Sequence, residues 1–321
     1  MTLPRAPRTS GRSAAERPLA AATLGVNQLL WANDDVPDLT PPVDPLTILD
    51  EIARLGFAGS QLGSTFPRGD GLRAALRTRG LRIAEVYAAL PCGEEGPTAD
   101  AHRVGVDMLR ELHDAGGDVF VAALPLTPER VRHVGRAAGP GVPTLTRAGL
   151  KRLAALLEAL AVDAREQGHP LAFHPHVGTY VETADETERL MAATDPDLVG
   201  LCLDVGHWTL AGGDPVEAIE RYGARIRHVH LKDVDAAVAA RLRSGEIPDF
   251  VAGLRERIFT ELGHGELDLP AVLDALDRHE YRGWLIVEHD TSWRPAAESA
   301  AISRAIVDFV LRELPRIELV A

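Results

Sequence analysis

The chain has 321 residues, enough for two average domains or for one α/β barrel, and its 45% hydrophobic and 25% charged residues can bury a large core. Lys and Arg total 34 against 47 Asp and Glu, a formal charge of −13, and no Lys/Arg-rich stretch follows residue 20, which excludes the basic face of a nucleic-acid binder. The apolar runs are shorter than the ~20 residues that cross a bilayer, so no membrane partner is expected.

The first 20 residues are rich in Pro, Arg, Ser and Ala and lack the apolar segment of a secretory signal. They read as a disordered tail, and the default location is the cytoplasm. Residues 21–321 then alternate short apolar runs with amphipathic stretches. Strands are predicted over 23–30, 60–62, 81–89, 118–123, 170–174, 199–204, 226–232 and 283–288. Helices are predicted between them, over 45–55, 70–79, 99–115, 146–167, 184–193, 214–222 and 269–279, with a last helix over 296–314. Repeated strand–helix units imply a parallel sheet, and eight of them imply a single-domain (β/α)8 TIM barrel. A doubly wound sheet would carry a Gly-rich phosphate turn after its first strand, and W-A-N-D-D-V-P at 31–37 is not one. The one sizeable insertion, residues 234–262, follows strand seven and is expected to cap the barrel mouth, partly as a mobile lid.

The two cysteines, Cys92 and Cys202, form no C-x-x-C pair, and Cys202 reads as a small core hydrophobe. Barrel enzymes carry their chemistry at the C-terminal ends of the strands, and four successive ends here are polar. Strand five ends in His174 and His176, strand six in Asp204 and His207, strand seven in His230 and Lys232, and strand eight in Glu288, His289 and Asp290. Imidazoles and carboxylates converging on one volume suit a divalent cation: Mn2+ or Co2+ first, Mg2+ or Zn2+ as alternatives. Within strand seven, His228, His230 and Lys232 share one face. His230 stands at the height of a ligand, His228 lower as a structural residue, and Lys232 at the mouth, where it can meet a substrate oxygen.

The chain resembles the xylose isomerase-like TIM-barrel superfamily, which includes sugar epimerases, hydroxypyruvate isomerase and endonuclease IV, and within it the inosose dehydratases. The blocks that carry the resemblance are W-A-N-D-D-V-P at 31–37, H-P-H-V-G-T at 174–179, D-V-G-H at 204–207, R-I-R-H-V-H-L-K-D at 225–233 and G-W-L-I-V-E at 283–288. The resemblance implies metal ligands at His174, Asp204, His230 and Glu288, with His176 as the competitor of His174. Two segments depart from the dehydratases. Gln61 stands where they tend to have Glu, and His289 and Asp290 follow Glu288 where they tend to have a Glu-Gln-Asp run.

The implied chemistry is removal of a C–H proton beside a polarised ketone, giving an enediolate that loses a hydroxyl. The expected substrate is 2-keto-myo-inositol or a closely related cyclic polyol ketone. Glu288 or His176 would be the base, and Lys232 and His207 the acids or substrate-oxygen partners. Trp31 would wall one ring face and Asn33 would bind a hydroxyl. The same ligand set serves a ketose 3-epimerase, a sugar isomerase or a C-glycoside-cleaving enzyme, and assembly into a homo-oligomer is left open.

Overall fold

The computed structural model describes residues 18–33 and 36–314. Eight parallel strands form the sheet: β1 (Thr23–Val26), β2 (Gly59–Gln61), β3 (Arg82–Ala89), β4 (Val119–Ala123), β5 (Leu171–His174), β6 (Val199–Asp204), β7 (Ile226–Leu231) and β8 (Trp284–Val287). Their order is β1-β8-β7-β6-β5-β4-β3-β2, so the first and last strands of the chain are neighbours and the sheet curls into a nearly closed barrel. The helices α1 (Pro45–Arg54), α2 (Gly69–Arg79), α3 (Ala101–Ala115), α4 (Arg147–Glu166), α5 (Ala184–Ala192), α6 (Val205–Leu210), α7 (Pro215–Tyr222), α8 (Ala236–Ser244), α9 (Phe250–Arg255), α10 (Leu269–Arg278) and α11 (Ala296–Glu313) follow in chain order. No helix among the described residues is long and apolar enough to cross a membrane.

Strand and helix side chains divide the core in two. An outer layer, including Ile83, Val86, Phe173, Leu201, Leu203, Val229 and Leu285, packs against the helices. Inside the barrel, Ala84, Val119, Val121, Ala172, Cys202, Trp284 and Ile286 form a smaller cluster. Cys202 is fully buried there, as its apolar surroundings in the sequence imply. The expectation of a tail over 1–20 falls mostly on residues outside the described ones, but Pro18–Ala21 forms a 3-10 turn with Leu19 buried.

The seam between β1 and β2 is held by the Ala58 N–H donating to the Leu24 carbonyl at 2.9 Å. Two glycines permit this approach. A Cβ on Gly59 would stand 2.2 Å from the Arg82 carbonyl oxygen, and one on Gly25 would stand 3.0 Å from the Gly59 oxygen. Gly59→Ala is therefore expected to destabilise the barrel by about 1–3 kcal/mol. Gly71→Ala in α2, where a new Cβ meets only the Pro67 Cβ at 3.7 Å, should be neutral or stabilising by up to about 1 kcal/mol. Equal thermal midpoints for the two variants would count against this account of the seam.

Two departures from the expected elements matter for the site. Strand one stops at Val26 rather than 30, because the Asn27 side chain accepts from the Leu29 N–H at 3.1 Å and starts a 3-10 turn, Gln28–Leu30. In β3, Ser60 pairs with Ile83 and Gln61 with Glu85, which leaves Ala84 as the extra residue of a bulge. Ile83 faces the helices, whereas Ala84 and Glu85 both turn into the barrel.

The insertion packs at the C-terminal end of the barrel, against His176, His207 and Lys232, and none of its residues lines the cavity described below. Its hairpin pairs Asp233–Val234 with Phe259–Thr260, and α8 and α9 lie between the two strands. Val234, Ala239, Leu242, Ile247, Phe250, Leu254, Ile258 and Phe259 form a core of their own, joined by Val36, Val134, Val177 and Leu210 from other connections at the mouth. The Asp233 carboxylate accepts from the N–H groups of Val234, Gly263, Gly265 and Leu267 at 2.8–3.0 Å, tying both ends of the segment together. The segment is thus a packed unit with its own apolar interior.

Candidate active site

A cavity of about 310 Å³ opens at the C-terminal ends of the strands. Its polar wall is formed by Asn27, Gln61, His174, His176, His230, Glu288 and Asp290, and Leu29, Leu62, Ser64, Arg68, Tyr87 and Met108 complete the lining.

The polar wall is a dense buried cluster. His230 Nδ1 lies 2.9 Å from Glu288 Oε2 and 3.6 Å from Asp204 Oδ2. His174 Nε2 lies 3.7 Å from the same Asp204 oxygen. Asn27 Nδ2 donates to Glu288 Oε2 at 2.9 Å and to Gln61 Oε1 at 3.2 Å. Lys232 Nζ sits 2.5 Å from Glu288 Oε1, 3.2 Å from Asp290 Oδ2 and 3.6 Å from Asp204 Oδ2. Beneath them, Glu85 Oε2 lies 2.7 Å from His228 Nε2 and 3.0 Å from His230 Nε2.

Burial and charge act against each other here. Burial alone would raise the pKa of Asp204 and Glu288, but the Lys232 ammonium outweighs it for both, helped by His207 for Asp204 and by His230 for Glu288, and holds each well below the ordinary value. Glu85 is held at about 2, because His230 and His228 outweigh its burial. Burial would lower Lys232, yet the carboxylates of Asp290, Glu288 and Asp204 raise it. Burial, with His174 and Lys232 nearby, pushes His176 down to about 3, so its imidazole is neutral. His176 Nδ1 is 2.7 Å from the Val177 carbonyl and donates to it, which leaves Nε2 as the ring's acceptor.

The residues present fit a divalent cation. Asp204 Oδ2 and His230 Nδ1 are fully buried without a hydrogen-bond partner, an arrangement that costs ~1–3 kcal/mol per atom unless something else satisfies it. Ligand atoms of Asp204, His230 and Glu288 lie within 4.8 Å of one another. The other Asp204 oxygen, Oδ1, accepts from the His207 N–H at 2.8 Å and caps α6, which fixes the carboxylate.

The structure places the other sequence-selected residues differently. Lys232 does not reach the cavity; the Phe259 ring covers it at 4.4 Å, so it neutralises buried carboxylates instead of standing at the mouth. His207 is buried between Lys232, at 3.0 Å, and the rings of His176 and Phe259. Trp31 is buried in the outer core and its indole N–H donates to Glu51, so it forms no wall of the cavity. Asn33 donates to the Asp290 carbonyl at 2.8 Å and accepts from the Val36 N–H at 2.7 Å, which ties the turn after β1 to the one after β8. Asp34 and Asp35 lie outside the described residues. His289 turns away from the cavity to the Phe259 carbonyl and Ser299. Sequence reasoning missed Glu85 and Asn27. A lone acid in the apolar run R-I-A-E-V-Y, and an amide directly after strand one, were the available signals.

Comparisons with known proteins agree with this architecture. The sequence model of the xylose isomerase-like TIM barrel family matches residues 49–310. The chain is 34% identical over 270 residues to the inosose dehydratase of Lacticaseibacillus casei, covering 83% of this chain and 88% of that one. It is 36% identical over 272 residues to the rhizopine catabolism protein MocC of Rhizobium meliloti, covering 84% of this chain and 82% of that one. Among solved structures, the IOLI protein with a bound zinc atom superposes with a TM-score of 0.64 at 18% identity, over 91% of this chain and 99% of the other. The barrel order, the polar strand ends and these matches together make the chain a member of the xylose isomerase-like TIM barrel family.

Proposed function

We propose that the protein is a divalent-metal-dependent hydro-lyase that removes water from 2-keto-myo-inositol or a closely related cyclic polyol ketone. The observation that carries this reading is the convergence of Asp204 Oδ2, His230 Nδ1 and Glu288 Oε2, with His230 and Glu288 lining the cavity and Asp204 buried directly behind them. The names of the curated relatives support the substrate class. A cation held by Asp204, His230 and Glu288, with His174 as fourth ligand, would polarise the ketone and acidify the neighbouring C–H. Mn2+ and Co2+ are the first ions to test, with Zn2+ and Mg2+ beside them.

The chain's own groups divide the remaining work. Glu288 is steadied from both sides, by Asn27 at Oε2 and by Lys232 at Oε1, so its position against the substrate is set. His176 lines the cavity and keeps Nε2 as an acceptor, so it is placed to take the C–H proton and return it to the departing hydroxyl. Lys232 balances the charge of the buried carboxylates from outside the cavity. Arg68, the one lysine or arginine lining the cavity, is committed to Glu111 and to the Phe66 and Gly63 carbonyls, which favours an uncharged substrate over a phosphorylated one.

Incubation of the manganese-loaded protein with 2-keto-myo-inositol should produce a dione that absorbs in the near ultraviolet, with the mass of one water lost. A free ketose converted to its epimer, with no such absorbance from the inosose, would overturn the reading in favour of a ketose 3-epimerase.

A further inference from the structure

We propose that Glu85 is a positioning residue for His230, fixing the ring in the tautomer that carries its proton on Nε2 and so presenting the Nδ1 lone pair to Asp204 and Glu288. The proposal rests on the cation site described above and adds a residue to it that no strand end carries.

Glu85 is fully buried at the bulge in β3, and the bulge is what turns it into the barrel. Its Oε2 lies 3.0 Å from His230 Nε2, while the opposite edge of the same ring, Nδ1, lies 2.9 Å from Glu288 Oε2 and 3.6 Å from Asp204 Oδ2 without a hydrogen bond. Bound to a cation, the His230 imidazole is neutral and has one proton for its two nitrogens. With the proton on Nε2, Glu85 has a donor and Nδ1 is a lone pair aimed at the carboxylates. With the proton on Nδ1, the Nε2 lone pair faces the Glu85 carboxylate at 3.0 Å and an N–H occupies the place a cation needs. The first arrangement leaves no buried charge without a partner, and it is the one a carboxylate behind a ligand histidine enforces.

His228 completes the device. It lies two residues below His230 on the same face of β7, and its Nε2 is 2.7 Å from the same Glu85 oxygen. The two histidines of strand seven thus have separate places: His230 faces the cavity, and His228 lies against the carboxylate behind it.

The test is calorimetric titration of the metal-stripped full chain with Zn2+ and with Mn2+, comparing wild type, E85Q and E85D. Wild type should bind one equivalent. E85Q, which keeps the volume but not the charge, and E85D, which withdraws the carboxylate by one methylene, should each bind about 10–100-fold more weakly. Saturating metal should restore most of the lost turnover, a recovery that general damage to the barrel would not permit. Nitrogen NMR of the zinc-loaded protein should show the His230 proton on Nε2. Wild-type affinity in both variants, or a proton on Nδ1, overturns the role of Glu85. Absence of metal binding by wild type overturns the cation site itself. E85D decides the matter should E85Q fail to fold.

Discussion

Replacement of Asp204 by alanine or asparagine is expected to remove cation binding and to lower turnover by about three orders of magnitude, the equivalent of ~4 kcal/mol of transition-state stabilisation. Asp204 is the one residue that meets His174, His230, His207 and Lys232 through a single oxygen, Oδ2, and that oxygen has no hydrogen bond of its own. The two substitutions separate charge from structure. Alanine also deletes the cap of α6, a loss of about 1 kcal/mol, whereas asparagine can still accept from the His207 N–H. Asp204→Asn should therefore melt close to the metal-free wild type while containing no metal by elemental mass spectrometry. Full occupancy in either variant would remove Asp204 from the ligand set.

Lys232→Met should destabilise the fold by about 3–5 kcal/mol, the range expected when one partner of a buried ionic group is deleted. Lys232 is fully buried among Glu288, Asp290 and Asp204, and no other lysine or arginine is seen to pair with these three carboxylates among the described residues. The pH dependence should change. In the wild type Asp204 and Glu288 are depressed, so their contribution is present above the ordinary carboxylate range, near pH 4, and is lost as pH falls through their lower folded values. Without the ammonium the largest influence opposing burial is gone, so both groups shift upward. The loss of stability on acidification should then begin at a higher pH than in the wild type, and the gain above it should shrink or reverse. Added Mn2+ or Zn2+ should raise the variant's melting temperature more than that of the wild type, since it returns positive charge to the same place. A pH profile parallel to that of the wild type would refute this assignment.

The barrel was legible because its evidence is periodic: eight apolar runs separated by amphipathic stretches survive any single misread boundary. The polar ends of strands five to eight were legible for the same reason, and the structure brings His174, Asp204, His230 and Glu288 together, with Asp204 buried behind the other three. What escaped depends on irregularity. Counting by twos from Ile83 puts Glu85 toward the helices, and only the extra residue Ala84 reverses that. Asn27 looked like strand interior because nothing in a run of apolar residues announces that its amide will stop the ladder. Lys232 was placed at the right register but at the wrong depth, since the covering ring, Phe259, comes from 27 residues further along the chain. Trp31 lies next to the site in sequence and turns outward to Glu51, a choice that rests on a helix partner invisible to local pattern.

The Asp233 carboxylate, which gathers N–H groups from both ends of the insertion, makes that segment a cassette. The spacing of its stems is set by one side chain at the end of β7, whatever lies between them. Length and composition inside the cassette can therefore change without straining the strands, while Phe250 and Phe259, which it lays against His176, His207 and Lys232, change with it. Exchange of this one segment can alter what packs behind the cavity's histidines, with the ligand-bearing strands left untouched.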